Sequence, residues 1–456
     1  MKRVLIISYY WPPAGGSGVQ RWVKFAKYLP AEGWQPVIYT PENPELSSVD
    51  KTLTADIPAE AEVIRRPILE PYGFYRRLMG SKASIDMQTL IDESQGAAAG
   101  GAKATGGEVN PISGGHKSWK QKVSLWIRGN FFIPDPRVWW VRPSVRFLKK
   151  YISEHPVDAI VTTGPPQSMH LIGRGLHRAT GIPWVADFRD PWTKMFYYKH
   201  LPLTGAADRK QHRLEQSVLD EASVVISVTP LVQLDFQDAT RTPVILITNG
   251  FDEDDYPAFP PAGKASSDSL KEFRVTHTGL FAEDGNPLLL WDALAAKSAE
   301  DPAFRSALRI RLAGKVDAAI IAAIKARGLG HCLDNLGYLP HDEAVAEQRA
   351  ASLLILPLRQ EPEYRNVLPG KIFEYLAARR PVLGIGQEDG AAAQVLAETR
   401  AGVMCDWDHA AAIRSAVDRA WSAHCDGSVF DSAGIDHYTR RHLTRRLATL
   451  LNQLSS

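Results

Sequence analysis

The stretch Asn366-Val-Leu-Pro-Gly-Lys-Ile-Phe-Glu-Tyr-Leu-Ala-Ala-Arg-Arg-Pro-Val-Leu-Gly-Ile-Gly386 predicts a loop, a helix and a strand in succession. The apolar run Leu353 to Leu358 comes before it and predicts an earlier strand. We expect the helix to begin near Pro369-Gly370 and the second strand to run from Pro381 to Ile385. A strand, a helix and another strand in this order form the repeating unit of parallel sheets, so the stretch predicts the α/β class.

Two oppositely charged residues, Lys371 and Glu374, are three residues apart and share one face of the first turn of that helix. Backbone N–H groups are unpaired there and the helix dipole is positive, which favours a phosphate group. A nucleotide diphosphate suits the pair, because Lys371 can neutralise phosphate oxygens while Glu374 accepts hydrogen bonds from ribose hydroxyls. The alternative is that Glu374 only complements the helix dipole and Lys371 is solvated. A capping box does not explain Glu374, because Lys371 stands where that motif has Ser or Thr.

Short apolar runs alternate with helical patterns along the whole chain, which predicts two doubly wound, Rossmann-like parallel-sheet domains. The predicted strands of the first half are Val4 to Tyr10, Pro36 to Thr40, Ala159 to Thr163, Trp184 to Phe188, Val224 to Val228 and Val244 to Thr248. Those of the second half are Arg274 to Thr278, Leu308 to Ala313, Leu353 to Leu358, Val382 to Ile385 and Gly402 to Cys405.

The length of 456 residues predicts about two or three domains. Residues 252–268 are rich in Pro, Asp and Ser and lack periodicity, which predicts a linker. We therefore expect one domain over residues 1–255, a second over 270–435 and a helix over 436–456 that packs on one of them. Two such domains facing each other leave a cleft at the carboxyl ends of their strands, where ligands bind in this fold class.

The composition excludes several classes of protein. Lys and Arg total 53 against 51 for Asp and Glu, so nucleic acid is not the expected partner. Cys332, Cys405 and Cys425 have neither metal-ligand nor disulfide spacing, which fits a reducing compartment. The first residues lack a signal-peptide pattern, and no apolar run approaches the ~18 residues that span a bilayer. We expect a cytoplasmic protein.

Two adjoining segments depart from the α/β pattern. Residues 94–115 are mostly Gly and Ala, which predicts a disordered insertion. The segment Lys117 to Arg128 then places apolar residues on one helical face among basic ones. Such a helix can lie on the anionic inner face of the cell membrane, or it can dock on its own domain with a solvated basic edge. The apolar residues of this face are Trp119, Val123, Trp126 and Ile127.

A glycine-rich loop, Gly15-Gly16-Ser17-Gly18, follows the first predicted strand and precedes a helix. Its glycines let the backbone approach a bound group and present N–H donors, so we assign it as a loop for the acceptor or for phosphate. The dinucleotide fingerprint is absent, because Arg21 stands where its closing glycine belongs, and no Walker motif follows. The alternative is a tight turn without a ligand.

In both halves the chain resembles family 4 glycosyltransferases, which have the GT-B fold of two Rossmann-like domains. The resemblance implies retaining transfer of a sugar, hexosyl or N-acetylhexosaminyl, from a nucleotide-diphosphate sugar to a glycan or lipid-linked acceptor. It implies a donor site in the second domain, an acceptor site in the first, and a role in cell-surface polysaccharide or glycolipid synthesis. The motifs that carry it are Gly15 to Gly18, Val224 to Thr229, Thr248 to Asp252, Thr278-Gly279, Gly337 to Pro340 and Pro369 to Ala377.

By this resemblance, Glu374 corresponds to the second glutamate of the family's E-x7-E motif, which binds ribose. Asn366 stands at the first glutamate, so this chain has a neutral amide there. The family's basic pair after Thr278-Gly279 is also absent, and Lys315 in Gly314-Lys315 is the expected substitute beside Lys371. The nucleotide-sugar site is expected to comprise Gly279, Gly314, Lys315, Asn366, Pro369, Gly370, Lys371 and Glu374.

Two lysines near a diphosphate can stabilise the leaving group electrostatically without a metal ion. No Asp-x-Asp motif follows a predicted strand, so we expect no cofactor and no metal.

Charged residues also cluster in Asp187-Phe-Arg-Asp190, at the end of a predicted strand of the first domain. We assign Asp187 and Asp190, together with Lys371, as catalytic candidates, with the two aspartates orienting the acceptor hydroxyl. Arg189 is the candidate for binding an acidic or phosphorylated acceptor. The alternative is an Asp–Arg–Asp ion-pair network that holds the loop.

Three functions remain open from the sequence. The glycosyltransferase is favoured by the order of the motifs along the chain. A catalytically silent nucleotide-binding or scaffold protein of the same fold is favoured by Asn366 and by the missing basic pair. An NAD-dependent oxidoreductase is disfavoured by Arg21.

Overall fold

The computed structural model describes residues 1–44, 49–69, 126–127, 129–195, 198–256, 272–428 and 430–455. The chain forms two compact units. Unit 1 comprises Met1–Thr248 and Arg441–Ser456, and unit 2 comprises Asn249–Arg440. Residues 249–255, which we assigned to the first domain, thus belong to unit 2, and the terminal helix belongs to unit 1 from Arg441 onward. The disordered insertion and most of the linker lie outside the described residues.

Unit 1 contains a seven-stranded sheet in which every pairing is parallel. The strand order is β3-β2-β1-β4-β5-β6-β7, so the winding direction reverses between β1 and β4. The strands are β1 Lys2–Ile7, β2 Trp34–Pro41, β3 Glu62–Arg66, β4 Ala159–Gly164, β5 Trp184–Phe188, β6 Val224–Ser227 and β7 Val244–Leu246.

Helices cover both faces of this sheet, as the alternation along β1 requires. Leu5 and Ile7 belong to one apolar core, while Val4 and Ile6 belong to the other. The helices packed around the sheet are α1 Ser17–Tyr28, α2 Val138–Glu154, α3 Ser168–Thr180, α4 Gly205–Glu221, α5 Pro230–Ala239 and, from the end of the chain, the helix Arg440–Leu454. That last helix buries Leu443, Leu447 and Leu451 completely in the core that contains Val4 and Ile6.

Unit 2 contains a six-stranded sheet, also parallel throughout. The strand order is β10-β9-β8-β11-β12-β13, so the winding direction reverses between β8 and β11. The strands are β8 Phe273–Thr278, β9 Leu308–Ala313, β10 Leu333–Gly337, β11 Leu353–Pro357, β12 Val382–Ile385 and β13 Gly402–Cys405.

The helices of unit 2 also pack on both sides of its sheet and enclose two apolar cores. They are α6 Leu288–Glu300, α7 Pro302–Ala307, α8 Ala318–Ala326, α9 His341–Ala350, α10 Gly370–Ala378, α11 Ala391–Glu398 and α12 Ala410–Cys425, and the helix Arg440–Leu454 is α13. Across the described residues, none of the helices is both long and apolar enough to cross a membrane.

All the predicted strands are present, and the α/β class with two doubly wound sheets is confirmed. Two strands were not predicted. β3 (Glu62–Arg66) and β10 (Leu333–Gly337) both lie at a sheet edge, and their residues are only partly buried or exposed. The strand predicted from Val4 to Tyr10 ends at Ile7, because the chain turns there into the glycine-rich loop.

Candidate functional site in unit 2

The candidate site lies where the winding of the unit 2 sheet reverses, at the carboxyl ends of β8 and β11. Open parallel sheets bind ligands at this position. Gly279 directly follows β8, and Lys371 and Glu374 lie on α10, the helix that follows β11. A Cβ atom on Gly279 would lie 2.4 Å from Cε of Lys371, so the lysine side chain passes directly over this glycine. The structure therefore brings together residues nearly one hundred positions apart.

The glycines at this edge allow the loops after β8 and β9 to approach each other closely. Gly279 has φ 111° and Gly314 has φ 125°, both in the region that favours glycine. The Gly279 amide donates to the Ala313 carbonyl over 2.6 Å, and the Gly314 amide donates to the Gly337 carbonyl over 2.6 Å. A Cβ atom on Gly314 would lie 2.2 Å from the Gly279 carbonyl oxygen. The backbone conformation therefore favours glycine at both positions, and packing against the Gly279 main chain also requires it at position 314.

No capping side chain and no acidic residue in the first turn offsets the positive dipole at the amino terminus of α10. Pro369 is its N-cap residue and makes no capping hydrogen bond through its side chain, and the first turn contains no acidic residue. A Cβ atom on Gly370 would meet nothing within 4 Å, so there is open space beside the first turn. Free N–H groups in the first turn and a positive dipole next to open space make this helix start a candidate anion site.

Lys371 and Glu374 form an ion pair across one turn of α10. Nζ of Lys371 lies 2.9 Å from Oε2 of Glu374, and 17% and 35% of the two side chains are exposed. Gln348 of α9 donates from Nε2 to the same Oε2 over 3.0 Å and to Oγ1 of Thr278 over 2.9 Å. A short polar network thus joins β8, α9 and α10.

The electrostatics keep both members of the pair charged. Burial raises the pKa of Glu374, but the Lys371 ammonium and the hydrogen bonds from Lys371 and Gln348 outweigh it, and the pKa is lowered. Burial lowers the pKa of Lys371, but the charge of Glu374 outweighs it and the pKa is raised. An ionised carboxylate and an ammonium therefore lie together at the candidate anion site.

Lys315 and Asn366, the two other polar candidates, lie at the same sheet edge without joining this network. Lys315 follows Gly314 and is exposed, and its ammonium forms no ion pair with any described residue. Asn366 ends a short 3-10 helix, Pro362–Asn366, and is half-buried. The roles assigned to these two residues stay predictions.

In unit 1, the glycine-rich loop lies at the corresponding reversal point, after β1. Gly16 is the N-cap residue of α1 with φ 98°, and Ser17 is the first residue of that helix. The Gly18 carbonyl accepts a hydrogen bond from Nη1 of Arg189 over 3.0 Å. The loop's geometry suits a close backbone approach, and its assignment to acceptor or phosphate, including Gly15, stays a prediction.

Arg189 is buried and bound to main-chain carbonyls. Nε donates to Gly164 over 3.2 Å, Nη2 donates to Pro165, and Nη1 donates to Gly18. All three guanidinium nitrogens thus tie the loop after β4 to the loop after β1. This arrangement favours a structural role for Arg189 over binding of an acidic acceptor.

Asp187 is completely buried, and its carboxylate is saturated with donors. It accepts from Nε and Nη2 of Arg21 over 3.2 and 2.8 Å, from Nε1 of Trp22 over 2.7 Å and from Oγ1 of Thr163 over 2.9 Å. Burial raises its pKa, but these partners outweigh that effect and the pKa is lowered. The alternative of an ion-pair network is therefore favoured, with Arg21 as the hydrogen-bonded partner of Asp187. Burial lowers the pKa of Arg189, and the charges of Asp190 and Asp187 counteract this shift. Asp190 is half-buried beside them.

Arg21 and Gln348 contribute to these sites in ways that the sequence did not indicate, whereas His170 is packed in the core of unit 1. Arg21 was noted only as the residue that breaks the dinucleotide fingerprint, and the structure shows it binding Asp187 in the core. His170 is fully buried, lies 2.9 Å from Oγ1 of Thr162 through Nδ1 and stacks on Phe188. Burial lowers the pKa of His170 to about 3, so it is neutral. No motif in the sequence indicated a role for Gln348.

Within the ranges that the structure describes, no group of three or more His, Cys, Asp or Glu residues could hold a metal ion. The expectation of metal-independent chemistry stays a prediction.

Residues 272–423 match the family model described as Glycosyl transferases group 1. No curated protein sequence matches the chain. Sucrose-phosphate synthase from Thermosynechococcus elongatus is similar over 100% of this chain and 99% of its own, with 15% identity and a TM-score of 0.59. A glycosyltransferase from Rickettsia africae ESF-5 is similar over 99% and 98%, with 13% identity and a TM-score of 0.56. Anabaena Alr3699/HepE, solved in complex with UDP-glucose, is similar over 100% and 97%, with 15% identity and a TM-score of 0.50.

These structures, together with the two parallel sheets, show that the chain has the GT-B fold of two Rossmann-like domains. The family match supports a glycosyltransferase that uses a nucleotide sugar, and it spans Gly279, Gly314, Gln348, Lys371 and Glu374.

Proposed function

We propose that the protein is a retaining glycosyltransferase that transfers a hexosyl or N-acetylhexosaminyl group from a nucleotide-diphosphate sugar to a glycan or lipid-linked acceptor. The observation that carries the proposal is the Lys371–Glu374 ion pair at the uncapped start of α10, packed over Gly279. A cation, free backbone N–H groups and a carboxylate within one helical turn suit a phosphate and a ribose on the same ligand.

The chemistry assigned to these residues is electrostatic. Lys371 and the N–H groups at the start of α10 stabilise the negative charge that develops on the departing diphosphate. Glu374 accepts hydrogen bonds from ribose hydroxyls and so fixes the nucleotide. Lys315 is exposed next to Gly314 and supplies a second cation. In a retaining reaction the departing phosphate can itself accept the proton of the acceptor hydroxyl. The proposed reaction therefore requires no side chain as a general base, and Lys371 acts by stabilising the phosphate.

We assign the acceptor to unit 1 and the pathway to cell-surface polysaccharide or glycolipid synthesis on the family resemblance. The cytoplasm is the expected location, because nucleotide sugars are the donor. The Gly15 to Gly18 loop is the candidate contact for the acceptor. The carboxylate of Asp187 already accepts hydrogen bonds from Arg21, Trp22 and Thr163. Its proposed role at the acceptor site is therefore indirect, through Arg21 and the end of β5.

Peripheral contact with the inner face of the membrane is a separate part of the proposal. Of the segment Lys117 to Arg128, only Trp126 and Ile127 lie among the described residues. Three large aromatic side chains in this part of unit 1 are nevertheless exposed: Trp126, Phe131 and Trp139. Aromatic residues of this kind anchor proteins at a membrane interface. Flotation with anionic liposomes at low salt should recover the protein, and flotation with zwitterionic liposomes should not. Absence from the anionic fraction would remove this part of the proposal.

The donor site is tested by a thermal-shift screen against UDP-, GDP-, ADP- and dTDP-sugars, followed by titration calorimetry. A ligand that binds only the folded state raises its melting temperature. Glu374→Gln should weaken the affinity for the selected nucleotide by about tenfold or more, because it removes an ionised acceptor. Glu343→Gln, at an exposed position on α9, is the matched control and should bind as wild type does.

Turnover distinguishes the enzyme from a silent binding protein of the same fold. Transfer or slow hydrolysis of the bound nucleotide sugar, followed by release of the nucleoside diphosphate, is the expected result. Tight binding without any turnover would favour the silent protein, and no binding of any nucleotide sugar would overturn both.

A further inference from the structure

Gln348 is the buried residue of α9 that faces the candidate nucleotide site. It is 1% exposed. Its Nε2 donates two hydrogen bonds, one to Oγ1 of Thr278 over 2.9 Å and one to Oε2 of Glu374 over 3.0 Å. Thr278 ends β8, next to Gly279, so the amide of Gln348 connects the strand end to the carboxylate on α10.

The two oxygens of Glu374 have different surroundings. Oε2 receives Nζ of Lys371 over 2.9 Å and Nε2 of Gln348 over 3.0 Å. Oε1 has no hydrogen-bond partner among the described residues, and the side chain of Glu374 is 35% exposed. Two donors from different helices thus fix one oxygen, and the other remains available to a ligand.

The amide of Gln348 is not optimised for stability. Its Oε1 is buried and has no hydrogen-bond partner in the described part of the chain. A buried polar atom without a partner costs roughly 1–3 kcal/mol relative to a satisfied one. A methionine of similar length would fill the same space without this cost. Gln348 therefore combines an unpaired acceptor with an N–H group that is held against Glu374.

We propose that Gln348 is a positioning residue for nucleotide binding, which fixes Oε2 of Glu374 so that Oε1 accepts a ribose hydroxyl. This inference rests on the proposed function of the same site. Lys371 alone does not fix the carboxylate, because it lies on the same helix and its ammonium is drawn toward the diphosphate when a nucleotide binds. Gln348 is the donor that keeps its bond to Glu374 in the loaded site.

The first test compares Gln348→Met with Gln394→Met, a control at an exposed position on α11 of the same unit. The probe is whichever of UDP, GDP and ADP binds the wild type most tightly. Gln348→Met should lose about ten- to hundredfold in affinity, the range for a hydrogen bond to a charged group. Its melting temperature should stay unchanged or rise. The control should change neither quantity.

The second measurement compares each nucleoside diphosphate with its 2′-deoxy form. If Gln348 orients Glu374 toward the ribose, the wild type should discriminate against the deoxy form and Gln348→Met should discriminate less. A role in packing alone would lower the melting temperature of Gln348→Met and leave this ratio as it is in the wild type.

Gln348→Glu provides a pH-dependent readout. The new carboxylate would lie against that of Glu374, and two adjacent carboxylates raise the pKa of one of them. The variant's affinity relative to wild type should therefore fall from about pH 5 to about pH 8, as the second proton is lost. Dividing the variant's affinity by that of wild type at each pH cancels the effect of nucleotide ionisation on binding. The titratable groups whose charges act on or respond to Glu374 are Lys371 and Tyr375 of α10, His341 of α9, His277 of β8 and Tyr256.

The outcomes separate the two proposals. If the wild type binds no nucleoside diphosphate, the proposed function fails. If the wild type binds and both Gln348 variants match it in affinity, deoxy discrimination and pH profile, the positioning role alone is overturned.

Discussion

The side chain of Lys371 occupies the space that any residue larger than glycine would need at position 279. The two residues come from α10 and from the end of β8, and a Cβ atom on Gly279 would approach Cε of Lys371 to 2.4 Å and Nζ to 3.2 Å. The position of the ammonium therefore depends on the absence of a side chain on a different element. This dependence can be tested by substituting the glycine and leaving the lysine intact.

Gly279→Ala is expected to weaken nucleoside diphosphate binding by about tenfold or more, because Lys371 must move away from the start of α10. The matched control is Gly328→Ala, which has φ 75° and would meet nothing within 4 Å. Both variants place a side chain at positive φ and so strain the backbone, and only the first displaces the lysine. Calorimetry and thermal unfolding of the two variants separate the effects. Equal affinity in both variants would contradict the structural relationship.

Lys371→Met should weaken binding of a nucleoside diphosphate by about ten- to hundredfold and binding of the matching nucleoside far less, because the ammonium acts on the phosphates. Lys315→Met, measured in parallel, determines whether that lysine is the second cation. Lys325→Met, at an exposed position on α8, serves as the control. Equal losses for nucleoside and diphosphate would place Lys371 away from the phosphates.

Asp187→Asn should destabilise the protein by about 3–5 kcal/mol, because it leaves the buried guanidinium of Arg21 without its counter-charge. The measurement is denaturant unfolding followed by tryptophan fluorescence, with Asp238→Asn on the exposed face of α5 as the control. Nucleotide affinity should not change. A large loss of turnover with an unchanged unfolding midpoint would instead support the catalytic assignment of Asp187.

Acidification should destabilise the fold through its buried histidines. Burial lowers the pKa of His170 to about 3 and that of His277 to about 4, against 6.5 for a free histidine. Because the unfolded chain binds these protons first, the free energy of unfolding falls as the pH drops below 6.5, by up to about 1.4 kcal/mol per pH unit for each histidine.

His170→Phe should remove the contribution of His170 to this slope. The measurement is the change in the free energy of unfolding between about pH 7 and about pH 5, for wild type and for the variant. Most carboxylates remain ionised at both pH values, so the difference between the two changes reports on His170. Identical slopes would show that His170 becomes protonated in the folded protein.

The sequence pattern predicted every interior strand of the two sheets and also the edge strands β7 and β13. β1, β4 and β11 lie in the interiors of their sheets and contain runs of apolar residues in the sequence. β3 and β10 lie at the edges, and Glu62, Arg65 and Asp334 interrupt their apolar pattern. Charged residues remove the apolar signal of these two strands, so β3 and β10 are recognised only from their pairing with β2 and β9.

The helix-start motif also located the donor candidates, because Lys371 and Glu374 are close in sequence and their geometry follows from one helical turn. Gln348 could not be found in this way, since its approach to Glu374 depends on how α9 packs against β8. The assignment of Asp187 was uncertain for the same reason. Its partner Arg21 is 166 residues away, and only the folded sheet brings the two charges together.

The return of α13 to the first sheet has a consequence for how the protein is made. A ribosome completes all of residues 249–440 before it releases the helix whose Leu443, Leu447 and Leu451 cover Val4 and Ile6. Until then the apolar residues that α13 covers in this core are exposed to solvent in the nascent chain. Stopping synthesis at residue 248 would therefore not yield an independent amino-terminal half, whereas splicing residue 248 directly to residue 441 would give that half its missing cover.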